Sequence, residues 1–128
     1  MEIVRRAITM FLSGDVEGAI REYADPEMEF VSRFGVMDGR TYTGETEFPN
    51  YLTDIADTWE RYDRKVDELI DAGDAVVAAL RITAVSRTTE LEVNERIGVA
   101  FWLKGGRIVR MVSFPTVPQA LEAAGISD

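Results

Sequence analysis

The chain has 128 residues, no cysteine, no histidine and a formal net charge of −9. A chain of this length is expected to form one domain with one core. Without cysteine, disulfides, zinc–thiolate sites and thiol catalysis are excluded, and without histidine the commonest general base is missing. The negative charge argues against nucleic acid or an anionic membrane as a partner, since both bind basic surfaces. No stretch resembles a signal peptide or a membrane span, so the predicted location is the cytoplasm.

Apolar residues at three- and four-residue steps predict helices through most of the first 60 residues. Gly14 ends the first helix, and Asp15 is placed to cap the second. The third helix begins after Gly44, and its apolar stripe reaches Trp59. Residues 28–32 alternate like a strand. The segment FGVMDGRTYTG, residues 34–44, follows that strand, and its glycines predict a loop that closes over the entrance of a pocket.

The second half of the chain is typical of an antiparallel sheet, with strands predicted over 64–70, 75–86, 90–103 and 107–114. The sequence KGG at 104–106 predicts a three-residue hairpin loop, which pairs Phe101 with Val109 and Val99 with Met111. A two-residue loop would reverse the faces of these side chains. A short last helix begins at Pro118. The predicted fold class is α+β, with helices packed on one face of a curved sheet.

The segments LSGD, YADPEMEFVS, DGRTYTGETEF and FWLKGGRIVRM occur in this order between residues 3 and 125. Together they resemble the nuclear transport factor 2-like superfamily and, within it, the SnoaL-like (polyketide cyclase-like) group. The resemblance implies a single SnoaL-like domain over residues 1–128, with a cone-shaped, curved antiparallel sheet and a pocket on its concave face. Members of the superfamily include isomerases, cyclases, hydrolases and proteins without catalytic activity, so the fold alone does not decide the function.

The pattern of the ketosteroid isomerases is absent from this sequence. The positions that match their oxyanion-hole tyrosine, base aspartate and second acid hold Ala7, Val31 or Ser32, and Gly98 or Val99. Proton abstraction beside a carbonyl needs a carboxylate base and donors for the oxyanion, so this activity is excluded. The Asp-Arg-Asp set of the epoxide hydrolases and the late-strand acid of the cyclases cannot be placed either.

Strand alternation favours Glu95 and Arg81 as a catalytic pair inside the pocket. Glu95 would serve as a base or would orient a ligand, and Arg81 would bind a substrate carboxylate or pair with Glu95. Two alternatives stay open: Glu95 in solvent at the open end of the sheet, and Arg81 on the outer face. Ligand contacts are predicted for Phe11, Phe30, Tyr51, Ile55, Trp59, Val99, Phe101, Met111 and Ser113, because pockets for small molecules are mostly apolar with few polar groups.

Two functions remain open from the sequence. One is cofactor-free acid–base catalysis of the cyclase, isomerase or hydrolase type on a small hydrophobic metabolite; the other is ligand binding or a dimeric scaffold without turnover. No metal is predicted, because the acidic residues of the third helix are not spaced as a ligand set. A homodimer is predicted through the outer sheet face, where Trp102, Ile108, Val112 and Phe114 would form an apolar patch.

Overall fold

A computed structural model describes residues 2–32, 41–73, 75–89 and 91–125 of the chain. Within these ranges the elements follow in the order α1 Glu2–Leu12, α2 Val16–Tyr23, β1 Ala24–Ser32, β2 Thr41–Thr43, α3 Gly44–Thr58, β3 Trp59–Asp71, β4 Ala75–Ser86, β5 Glu92–Lys104, β6 Arg107–Phe114 and α4 Val117–Ala123. The predicted α+β plan is confirmed. The greater part of the predicted entrance loop, residues 34–40, lies outside the described residues.

Within the described residues, the strands form one curved, unclosed sheet in the order β2-β1-β6-β5-β4-β3. Neighbouring strands are antiparallel except for β1 and β6, which run parallel. The strand β3 begins at Trp59, five residues before the predicted start. Trp59 is extended (φ −118°, ψ 132°), and its backbone N–H donates to the carbonyl of Ile55. Trp59 therefore ends α3 and does not continue its apolar stripe.

The helices divide between the two faces of the sheet. The helices α1, α2 and α3 cover the concave face, which carries Phe30, Ile82 and Phe101 among its buried residues. The helix α4 packs on the outer face, where Ala120 lies against Val77 and other apolar side chains of the sheet. The fourth helix thus departs from the expectation that the helices lie on the concave face.

The β5–β6 hairpin has a two-residue turn in place of the predicted three-residue loop. Gly105 and Gly106 have φ values of 60° and 79°, which two-residue turns of the primed type require. Lys104 therefore pairs with Arg107, and the register shifts by one residue before Trp102. This shift is a β-bulge in β6 that reverses the alternation once more.

The bulge decides which side chains face the helices. After it, Phe101 pairs with Met111 and Val99 with Ser113, so these four side chains keep the concave face predicted for them. The predicted partners themselves were wrong by two residues. Ile108 lies before the bulge and is buried on the concave face, where it is 3% exposed.

The four residues predicted as a dimer patch do not form one exposed surface. Ile108 lies on the opposite face, because the two-residue turn pairs it with Leu103 on the concave side. Val112 is 1% exposed within the single chain. Trp102 and Phe114 are partly buried against the cluster that contains Ala120 of α4. The patch prediction is therefore wrong for Ile108 and Val112, while the homodimer itself stays a prediction.

Candidate functional site

A cavity of about 110 Å³ lies between the concave face of the sheet and helices α1, α2 and α3. We call it the concave cavity. Its wall is apolar over most of its area and includes Ile8, Phe11, Met28, Phe48, Leu80, Ile82 and Ile97. Tyr51, Tyr62, Arg64 and Ser113 are the described lining residues with polar side chains. Mostly apolar walls with few polar groups are typical of a site for a small molecule.

Most of the predicted ligand contacts lie where the sequence placed them. The cavity is lined by Phe11, Phe30, Tyr51, Val99, Phe101, Met111 and Ser113. Ile55 and Trp59 do not line it. Ile55 is 5% exposed in the core of α3, and the ring of Trp59 packs beside Tyr62 with 6.0 Å between ring centroids. These two positions are corrections, because α3 turns only part of its apolar stripe towards the cavity.

The predicted catalytic pair does not meet in the cavity. Arg81 projects from the outer face, where its guanidinium lies 3.6 Å from a carboxylate oxygen of Asp67. Glu95 pairs in register with Ile82 and so belongs to the concave side, but its side chain is exposed and does not line the cavity. The structure thus shows the two alternatives that the sequence left open: Glu95 is exposed to solvent, and Arg81 lies on the outer face. A catalytic role for the pair gains no support from this geometry.

Arg64 is the positive charge that lines the cavity. One of its guanidinium nitrogens donates to the hydroxyl oxygen of Tyr51 at 3.0 Å. The guanidinium carbon also lies over the rings of Phe11, Tyr51 and Tyr62, at 5.3, 5.8 and 4.5 Å from their centroids. Aromatic faces attract cations at such distances, so the three rings hold Arg64 in place.

Tyr62 completes a polar cluster, which we define as Tyr51, Tyr62 and Arg64. Partial burial raises the pKa of Tyr62 above the ordinary tyrosine value, because an apolar environment disfavours the phenolate. Tyr51 raises it further, and the charge of Arg64 opposes the shift. A side-chain hydrogen bond with Tyr51 also contributes to the raised pKa of Tyr62. The oxygen of Tyr51 accepts the hydrogen bond from Arg64, and Tyr62 lies beside both side chains.

The sequence contained a signal for this cluster that the strand prediction missed. From Tyr62 to Val66, every second residue of β3 is partly buried, whereas Arg61, Asp63 and Lys65 are exposed. The alternation of Tyr62, Arg64 and Val66 therefore points one row of side chains inward. The predicted strand began at Arg64, so Tyr62 lay outside it and the alternation that includes Arg64 was not recognised.

A second tyrosine contact fixes the helix that carries Tyr51. The hydroxyl of Tyr42, in β2, donates to a carboxylate oxygen of Asp54 in α3. Tyr42 is 2% exposed, and its ring lies 5.7 Å from that of Tyr51. The position of Tyr51 therefore depends on β2 as well as on β3.

Comparison with known proteins shows the family. The model of the SnoaL-like domain matches residues 4–111. The chain belongs to the SnoaL-like family. A search of curated proteins found no match. For this SnoaL-like protein, no described helix is long and apolar enough to span a membrane.

Solved structures share the fold of this SnoaL-like protein over almost its whole length. A nuclear transport factor 2-like protein from Burkholderia thailandensis is 24% identical with a TM-score of 0.79, covering 98% of this chain and 96% of that chain. One of unknown function from Burkholderia pseudomallei is 16% identical with a TM-score of 0.77, covering 98% and 97%. A candidate SnoaL-like polyketide cyclase from Jannaschia sp. CCS1 is 14% identical with a TM-score of 0.71, covering 99% and 94%. These identities establish a common fold and no common activity.

Proposed function

We propose that this SnoaL-like protein binds a small, mostly apolar molecule in the concave cavity. The observation that carries the proposal is the convergence of Arg64 and Tyr51 on a cavity whose wall is otherwise almost entirely apolar. An apolar wall favours an apolar body, and the few polar groups orient it. The family supports this reading, since SnoaL-like folds are associated with small-molecule roles.

The size of the cavity limits the occupant. Its volume of about 110 Å³ is somewhat below the ~150 Å³ that is enough to hold benzene in an engineered apolar cavity. It is far below the roughly 300–1,000 Å³ of sites for drug-sized ligands. We therefore expect a single ring or a short aliphatic chain as the body of the ligand.

Binding is favoured over acid–base turnover by the chemistry of the lining. No carboxylate lines the cavity within the described residues, and Tyr62 is protonated at neutral pH, as any tyrosine is whose pKa is not lowered. The cluster can donate hydrogen bonds to a ligand oxygen, whereas proton abstraction also needs a base. Acid–base catalysis is the second candidate function, because the oxygen of Tyr51 accepts a hydrogen bond from Arg64 and the Tyr51 proton can be donated to a substrate oxygen.

Ligand binding is tested by titration with a panel of single-ring and six- to eight-carbon compounds. The Trp102→Phe variant leaves Trp59 as the only tryptophan, and Trp59 packs beside Tyr62 of the polar cluster. We expect at least one compound to change its fluorescence saturably. At one hundred times the dissociation constant, the compound should raise the melting temperature by roughly 10 °C. A panel without any saturable change in fluorescence or melting temperature would contradict the proposal.

We also propose a homodimer, with a smaller apolar surface on the outer sheet face than the sequence predicted. Trp102 and Phe114 remain partly exposed on the outer face, and the guanidinium of Arg110 stacks over the Trp102 ring at 5.3 Å. We expect light scattering at micromolar concentration to give twice the chain mass of 14.3 kDa. We expect the charge introduced by Trp102→Glu to return the protein to a monomer, since desolvating that carboxylate at the interface is costly. A wild-type mass of one chain would refute the dimer.

A further inference from the structure

The charge of Arg64 has no acidic partner in the part of the chain that the structure describes. The ion pairs within residues 2–32, 41–73, 75–89 and 91–125 involve other arginines, all with exposed side chains. Arg64 is half-buried, and its contacts there are the Tyr51 hydroxyl and three aromatic rings. A partly desolvated cation without a counter-charge is costly unless a ligand supplies one.

We propose that the ligand of the concave cavity carries an anionic oxygen, a carboxylate or an enolate-type oxygen, and that Arg64 and Tyr51 bind it. This inference rests on the proposed function and specifies its substrate class. A guanidinium has five N–H donors in a planar fork, and the protein acceptor described for Arg64 is one hydroxyl. The remaining donors suit the two oxygens of a carboxylate. The proton of Tyr51 adds a neighbouring donor.

The position of Arg64 at the cavity wall also predicts the orientation of the bound ligand. Its guanidinium stacks on Phe11 of α1, and the next residue, Leu12, lines the cavity while remaining 44% exposed. Arg64 therefore lies near the side of the cavity that opens to solvent. An anion bound there keeps part of its hydration while its apolar body lies against Val99 and Met111 of the cavity wall. Such an arrangement lowers the desolvation cost of the charge.

The test uses two ring- or chain-matched pairs of probes at pH 7: benzoate with benzamide, and hexanoate with hexanamide. In the wild-type protein we expect the anion of at least one pair to bind about 10-fold or more tightly than its amide, since a hydrogen bond to a charged group is the stronger kind. The Arg64→Gln variant should lose that preference. We expect its affinity for the anion to fall and its affinity for the amide to change by less than about 3-fold. Arg64→Lys, which keeps the charge and loses the fork, should retain part of it.

Arg61→Gln is the matched control. Arg61 lies on the same strand, its side chain is 70% exposed, and its ion pair is with Asp63 outside the cavity. The Arg61→Gln change removes the same unit of charge as Arg64→Gln, but at a site outside the cavity. We therefore expect this variant to keep its preference for the anion. Equal loss in the two variants would overturn the inference in favour of a general charge effect.

The wild-type comparison stands even if an Arg64 variant does not fold. If the amides bind as tightly as their anions, the inference about charge is wrong while the proposed binding of an apolar molecule stands. If no member of either pair and no compound of the wider panel binds, both the inference and the proposed function are wrong.

Discussion

Replacing Gly98 with leucine is expected to cost roughly 3 kcal/mol or more of unfolding free energy, the largest stability effect of any single change considered for this protein. A Cβ atom at Gly98 would lie 2.7 Å from the Cβ of Ala120 and 2.9 Å from the Cα of Val117. These atoms belong to α4, and one of them is backbone, so the helix itself must move. Because α4 covers the outer-face cluster of Val77 and Ala100, its displacement exposes that cluster.

The measurement is urea unfolding, with the midpoint compared at a constant slope. Asn94→Leu is the control, because Asn94 is exposed, lies on the same strand and shares the outer face with Gly98. We expect that variant to stay within about 0.5 kcal/mol of the wild type. If Gly98→Leu is as stable as Asn94→Leu, the packing of α4 on β5 described here is wrong.

Replacing Met111 with tryptophan is expected to weaken the binding of a single-ring ligand by about 30- to 100-fold. Met111 lines the concave cavity between Phe30 and Phe101, its register partners on either side. A tryptophan there would occupy space that the ligand needs. The expected loss corresponds to about 2–3 kcal/mol of apolar burial that the ligand can no longer gain.

The volume-conserving variant Met111→Leu is the control for this prediction. Exchanges between methionine and leucine are usually tolerated in a core, so binding should change by less than about 5-fold. Both variants are compared with the same ring compound by titration. Undiminished affinity in Met111→Trp would show that the ligand binds elsewhere on the protein.

The apolar wall of the site could be predicted from the sequence because alternation on long strands fixes the face of each side chain. Val99, Phe101 and Met111 were placed correctly although the hairpin loop was one residue shorter than predicted. The bulge in β6 compensated for that error, and alternation alone cannot reveal a bulge. The two-residue turn placed Ile108 on the concave face, because it pairs Ile108 with Leu103 before the bulge. The turn length thus explains the wrong position of Ile108 in the dimer patch, and the bulge explains why the predicted wall was still correct.

The polar part of the site could not be predicted in the same way. Arg81 was selected because its strand is otherwise apolar. In the structure it lies on the outer face, where it forms an ion pair with the carboxylate of Asp67 on the neighbouring strand. Arg64 lies in a charged segment where one more arginine is unremarkable. Its inward position depends on rings from three separate elements, Phe11, Tyr51 and Tyr62. The alternation of Tyr62, Arg64 and Val66 indicates a row of side chains on one face, but it does not predict the contacts of Arg64 with Phe11 and Tyr51.

The central claim, that the concave cavity binds a small and mostly apolar molecule, is tested most directly by intermolecular NOEs between a bound ring compound and methyl groups of the protein. We predict contacts from the ring protons to the methyls of Ile97, Val99 and Met111, all of which line the cavity. We predict none to Val77, which is buried on the outer face beneath α4. Contacts confined to Val77 or to the exposed Leu91, or none at a saturating concentration of a binding compound, would contradict the claim.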